Sequence, residues 1–242
     1  MTAVLLFVTI GTSPNGLMKR LILTALAAAS LFVSSDLRAA CSAAPATTLV
    51  SSLLGQAPGL RAKVLKLALD ASQCAAQRGL VKRRDLLTVI DYSLPSSQPR
   101  LFVFDLYTRK LLFRELVAHG KMSGGNVANF FSNSPGSLAS SLGLFVTEDT
   151  YVGHNGYSLR LRGLEEGVND MALDRAIVMH GAYYVSTEAV KVLGRLGRSW
   201  GCPAVRETIA HKLIDTLRGG SAIFAYYPEQ SWLARSEYLP HS

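Results

Sequence analysis

Apolar positions between Leu60 and Arg78 recur at the spacing of one helix face, at Val64, Leu65, Leu67, Ala68, Ala71 and Ala75, and Gly79 follows as a stop. Beyond it, Leu86 to Tyr92, Leu101 to Leu106 and Leu111 to Ala118 predict three strands. Pro95 and Pro99 mark the first break between them and Thr108–Arg109–Lys110 the second. Leu144 to Thr147, Ser158 to Leu161, Ala176 to His180 and Ser221 to Tyr227 predict further short strands. Thr187 to Leu196 and Arg206 to Leu217 predict helices, the second ended by Gly219–Gly220. From His119 to Ser141 the chain is rich in Gly, Ser and Asn and has no period; so long a polar run inside a compact domain is usually functional or mobile. Many short strands and a few helices predict a β-rich α+β fold.

The 242 residues, 49% apolar, suffice for one domain with a substantial core. Residues 45–57 are Ala/Ser/Thr-rich and read as a linker, so that 45–85 forms a linker with the N-terminal helix and 86–242 the main domain. Residues 1–44 read as a signal segment: a basic start at Met18–Lys19–Arg20, an apolar run from Leu21 to Val33, then small residues through Ala44. Translation from Met18 gives that signal its ordinary length. Membrane contact is expected only through this segment, and the mature protein in the periplasm or cell envelope. A lipoprotein cut before Cys41 is disfavoured because Arg38 stands where an aliphatic residue is wanted.

The formal charge is +8. The positive residues lie scattered or in short clusters such as Lys82–Arg83–Arg84, not in a stripe interleaved with aromatics, so nucleic acid is not the expected partner. An anionic cell-wall polymer or membrane surface suits the charge. Of three cysteines, Cys41 and Cys74 pair if cleavage spares Cys41; otherwise Cys74 is a small core residue on its helix. No cofactor is implied, and no His or Cys pair has the short spacing of a metal site.

The candidate chemistry lies in Val178–Met179–His180–Gly181 and Ser199–Trp200–Gly201–Cys202–Pro203. A histidine ending an apolar strand and a cysteine inside a Gly-Pro turn are the parts of Cys-His acyl transfer. A cationic His180 is expected to hold the Cys202 thiol below its free pKa of ~8.5. Backbone N–H groups of Gly201 and Cys202 are candidates for an oxyanion, and Gly181 for leaving room for substrate. Gly197–Arg198–Ser199–Trp200–Gly201 matches G-x-S-x-G formally, but a predicted helix precedes Ser199 and Pro203 follows almost at once, against the strand–turn–helix that motif needs. His119 and the Ser123–Gly124–Gly125 loop form either one side of a substrate groove or a solvated turn. Tyr151 and Ser158 are possible substrate contacts, and Trp200 a pocket wall. Arg160, Arg162 and Arg175 are expected to pair with Glu165, Glu166, Asp170 and Asp174 nearby, or one of them to meet a substrate carboxylate.

Five blocks in order carry a resemblance: VAHGKMSGG from Val117, FSNSPGSLASSLGLF from Phe131, YVGHNGYSLRLRGLEEGVND from Tyr151, RAIVMHGAYYVS from Arg175 and GRLGRSWGCPAV from Gly194. Together they resemble the murein L,D-transpeptidase catalytic domain family (YkuD-type). The resemblance implies a mixed β-sandwich or barrel-like fold with a few flanking helices. It implies Cys202 as nucleophile, His180 as base, and Ser199 and Gly201 as supporting groups, with peptidoglycan stem peptides as substrate. Cys202 would take the acyl group of the third stem residue, D-alanine would leave, and a neighbouring amine would complete a 3→3 cross-link. Water as acceptor would make the site an L,D-carboxypeptidase. Trp200 stands where most of the wider family has a second histidine, which keeps a non-catalytic wall-binding module open as another class. Oligomeric state is not legible.

Overall fold

A computed structural model describes Cys41 and residues 47–240. Apart from Cys41, the signal segment lies outside those residues, as does His241, and the linker reading falls on them only from Thr47 onward. From there it is overturned: Thr47–Leu54 form helix α1, which buries Leu53. Gln56 just beyond α1 donates to the Arg109 carbonyl and accepts from the Leu111 amide, fastening that end to a hairpin turn. Helix α2, Ala62–Gln77, buries the stripe anticipated from its spacing, and Gly79 past its end takes φ 74°. Cys74 on this helix is bonded to Cys41 across 33 positions, with Cα atoms 5.0 Å apart.

Nine strands form one sheet: β1 (Arg83–Asp91), β2 (Leu101–Asp105), β3 (Lys110–Glu115), β4 (Val117–Ala118), β5 (Gly143–Gly153), β6 (Gly156–Gly163), β7 (Val178–Gly181), β8 (Ala204–Val205) and β9 (Ser221–Tyr226). Their order is β3-β2-β1-β9-β5-β6-β7-β8-β4. β1 and β9 pair in parallel at its middle, and α2 packs on both. All of β9 and the last six residues of β1 are buried, the run of a strand covered on both faces.

The two edge strands, β3 and β4, are separated in sequence by Leu116 alone. One residue spans only about 3.5 Å, so the sheet must curl until its edges almost meet, and the result is nearly barrel-like. Two arginines clasp the seam. Arg206, just after β8, makes a two-pronged ion pair with Glu115 at 2.7 and 2.9 Å. Arg100, just before β2, is fully buried and donates from Nε and Nη2 to the Val117 carbonyl at 3.0 and 2.9 Å. The single strand expected over Leu111 to Ala118 is therefore two, because the chain passes from one edge to the other within it.

Helix α3 (Thr187–Leu193) lies between β7 and β8 in sequence, and α4 (Glu207–Leu217) follows β8. A last helix, α5 (Gln230–Arg235), seats Trp232 in the core, where its indole donates to Glu165 at 2.8 Å. Glu165 also accepts from the Leu144 amide, so this buried carboxyl joins α5 to β5. No described helix is long and apolar enough to cross a membrane.

Candidate active site

β7 carries His180 between β6 and β8, in register with Ser158 on one side and Ala204 on the other. Its ring is buried, and Nδ1 lies 2.8 Å from the Gly181 carbonyl oxygen. A carbonyl only accepts, so Nδ1 carries the proton and Nε2 keeps its lone pair. Burial holds the imidazole below its usual pKa, so the ring is neutral at pH 7. Gly181 acts otherwise than expected. A Cβ there would meet Ala210 Cβ at 3.0 Å and Glu207 Cα at 3.2 Å, so its open face admits α4, and its carbonyl orients His180.

The parallel pairing of β7 with β8 brings Cys202 to the strand beside His180, two positions before the residue in register with it. Cys202 is 8% exposed, and Sγ lies 3.7 Å from the Ala176 carbonyl. Ser199 staples the turn: Oγ donates to the Cys202 carbonyl at 2.6 Å and accepts from the Gly201 N–H at 3.1 Å. That hydroxyl is committed to the backbone, which suits a supporting group and not a serine nucleophile. The Gly201 N–H, expected to face an oxyanion, is likewise occupied. Gly201 has φ 127°, and a Cβ would sit 2.8 Å from the Ala139 carbonyl, so only glycine fits.

The thiol departs from expectation too. Burial pushes the Cys202 pKa up; a hydrogen bond from the Val178 backbone and the charge of Arg175 act against it without winning. Cys202 and His180 therefore rest as thiol and neutral imidazole, and not as an ion pair.

His119 does not line an open groove: it is fully buried. Arg100 Nη2 donates to its Nδ1 at 2.7 Å, which puts the ring proton on Nε2, facing the Gly124 carbonyl at 3.4 Å. Burial first and the Arg100 charge second lower its pKa to about 4. Its backbone serves the site directly, since the His119 carbonyl accepts from the Ser199 amide at 3.0 Å and the Ser199 carbonyl from the Lys121 amide at 2.8 Å. Behind the turn, Ser140 Oγ donates to the Gly201 carbonyl at 3.0 Å. Tyr92, hydrogen-bonded to Ser140, is pushed up to about 12 by burial. A cavity of about 10 Å³ lies between Tyr92, Ser141, Ile177, Gly201 and Pro203, about one water in size.

Trp200 is not a buried wall: it is 74% exposed, with Lys121 Nζ 5.9 Å from the ring centre. Tyr151 on β5 is in register with Ser158, the cross-strand neighbour of His180, and the Arg160 guanidinium stacks 4.0 Å from its ring. The anticipated local ion-pair network gives way to other partners. Arg162 pairs with Glu148, and Asp170 accepts from Asn133 and the Gly167 amide. Arg175 bonds only to neutral oxygens, the carbonyls of Ser132 and Ala139 and the hydroxyls of Ser137 and Ser141. Arg100, Tyr92 and Ser140 escape a sequence reading because each lies outside the His-Gly and Gly-Cys-Pro motifs, and Arg175 stands out there only as a partner for carboxylates. Tyr184, half-buried and pushed up to about 12 by burial, joins them. Among the described residues no group of three or more His, Cys, Asp or Glu could hold a metal ion.

Solved structures similar to this chain include an L,D-transpeptidase from Mycobacterium smegmatis, at 13% identity over 59% of each chain with a TM-score of 0.37. An LD transpeptidase in complex with imipenem is similar at 15% identity over 59% of each chain, TM-score 0.36. The L,D-transpeptidase (Yku) from Stackebrandtia nassauensis matches at 13% identity, covering 75% of this chain and 90% of its own, TM-score 0.37. This chain thus spans about three-fifths of the length of the first two. A search of curated proteins returns no match. The family model of the L,D-transpeptidase catalytic domain (YkuD_2) matches residues 56–226, well over half of the sequence and all of the site just described. This chain belongs to the L,D-transpeptidase catalytic domain family.

Proposed function

We propose that this protein is an exported cysteine acyltransferase that acts on peptidoglycan stem peptides and forms 3→3 cross-links. The observation that carries the reading is the hydrogen bond from His180 Nδ1 to the Gly181 carbonyl, which leaves Nε2 unprotonated on the strand beside the protonated Cys202 thiol. In this reading the S–H bond breaks as the substrate carbonyl arrives. The proton passes to His180 Nε2 and the sulfur pair forms the C–S bond. Collapse of the tetrahedral adduct breaks the C–N bond, and His180 returns the proton to the departing D-alanine amine. An amine of a second stem peptide then attacks the thioester, which regenerates the thiol. The Cys202 amide, close to its own sulfur, is a candidate backbone donor for the oxyanion, whereas the Gly201 amide is held by Ser199.

Export is supported by the Cys41–Cys74 bridge, which belongs to an oxidising compartment. It also requires that the signal be cut before Cys41, since Cys41 must survive processing.

The test is incubation of the purified protein with disaccharide tetrapeptide, with products read by mass. Loss of D-alanine together with a dimer is the expected result, abolished in Cys202→Ala. Loss without a dimer identifies a carboxypeptidase. No change, together with no adduct from a carbapenem, would leave only a wall-binding module.

A further inference from the structure

Arg175 stands immediately before the strained Ala176 (φ 52°), whose carbonyl meets the Cys202 sulfur. Its guanidinium makes four hydrogen bonds of 2.5 to 3.1 Å, all to neutral oxygens of the 132–141 segment. No carboxylate among the described residues lies within ion-pair distance of it. Nη2 lies 3.4 Å from the point where a Gly201 Cβ would stand, an ordinary contact distance, so the cation sits directly against the turn that carries Cys202. A half-buried cation surrounded by neutral oxygens is costly unless its charge has a use. The group beside it that can become negative is Cys202.

We infer that Arg175 is a positioning residue for the reacting sulfur: it ties the 132–141 segment against the nucleophile turn and holds a fixed positive charge beside Cys202, which stabilises the thiolate formed as His180 takes the proton. The inference rests on the acyl-transfer reading for its purpose, not for its test. The mutual influence of Arg175 and Cys202 on each other's titration agrees with this placement. In the resting protein, burial outweighs the cation and the thiol stays protonated. As the proton leaves, the preorganised guanidinium needs no rearrangement to meet the new charge, and exclusion of water by a bound substrate strengthens their attraction. Arginine suits the position better than lysine, because its planar fork reaches four acceptors while presenting charge to a fifth group.

The experiment is the pH dependence of iodoacetamide alkylation on the intact protein. With Cys41 and Cys74 bonded, Cys202 is the free thiol, so the rate reports on it alone. In Arg175→Gln, with folding verified by circular dichroism, the apparent thiol pKa should rise by ~1 unit or more, the scale of losing a neighbouring opposite charge. Arg175→Lys should recover most of that shift. A folded Arg175→Gln protein with the wild-type profile would overturn the inference, as would a lysine variant shifted as far as the glutamine one. If Arg175→Gln does not fold, the wild type decides through anionic iodoacetate. Relative to iodoacetamide it should react faster with Cys202 than with free cysteine, by a margin that shrinks as salt is added; a ratio no higher than that of free cysteine rejects the idea. None of these measurements needs turnover. An Arg175-dependent thiol in a protein inert toward stem peptides would remove the function and keep the inference, and the reverse result would do the opposite.

Discussion

Ser199 and Cys202 are joined by a hydrogen bond of 2.6 Å from the serine hydroxyl to the cysteine carbonyl, three positions apart and buried. The same oxygen receives the Gly201 N–H, so one side chain holds both ends of the Cys202 turn. Ser199→Ala leaves that N–H and that carbonyl without their partner, which should cost ~1–3 kcal/mol of stability. Acylation should fall more steeply than the melting temperature suggests, because the sulfur loses its fixed direction. Chemical denaturation and single-turnover acylation, measured on the same preparation, check this. Unchanged stability with unchanged acylation would show the staple to be idle.

The pH profile follows from the neutral resting pair. In the proposed reaction His180 must be unprotonated, and burial places its pKa below the ordinary value of ~6.5. The acid limb of acylation should therefore have its midpoint below ~6.5. Alkylation of Cys202, which needs the thiolate, should have its midpoint above ~8.5 because burial raises the thiol. An alkylation midpoint below neutrality would restore the thiolate–imidazolium pair that the sequence motif suggests.

Stability should also depend on pH through His119. Its pKa falls from 6.5 to about 4 on folding, so the unfolded chain binds the proton more tightly. The stability is fully present above 6.5 and is lost as pH falls toward 4, an amount of ~3 kcal/mol. His180, also lowered, adds in the same direction. Urea unfolding at intervals from pH 7 to 4 measures the loss, and His119→Gln should flatten it. An unaltered slope in a folded His119→Gln protein would assign the loss to other groups.

Trp200→Ala should change stability by less than ~0.5 kcal/mol, the range of an exposed site away from the core. An effect on stem-peptide KM without one on iodoacetamide reactivity would identify the indole as a substrate contact. A large drop in melting temperature would contradict its exposed position.

Much of this architecture is legible along the chain. The α2 stripe, the buried last six residues of β1 and the fully buried β9 announce themselves because packing demands periodic or continuous apolar residues there. β4 and β8, two residues each, are too short to carry a period, yet they close the sheet and hold the Cys202 turn. α1 looks like a linker because Ala, Ser and Thr signal flexibility and helix alike. In the site, His180 and Cys202 stand out by their neighbours. The roles of Gly181 and Arg175 depend on α4 and on residues 132–141, which reach them from distant parts of the sequence. His119 misleads for the same reason: a loop-edge histidine in sequence becomes an Arg100 ligand only once the seam is closed.

That seam also ties the setting of Cys202 to contacts remote in sequence. β4 meets β8 across more than eighty positions, and the Ser199 amide reaches the His119 carbonyl across a similar distance. Contacts so remote form late, because a long loop must be closed before they return any free energy. Local order in α2 or the β5–β6 hairpin can exist without them; the setting of Cys202 cannot. A partly folded chain would therefore hold an accessible, ordinary thiol where the finished protein holds a buried one. Loss of alkylation during refolding becomes a clock for ring closure, readable at a single atom.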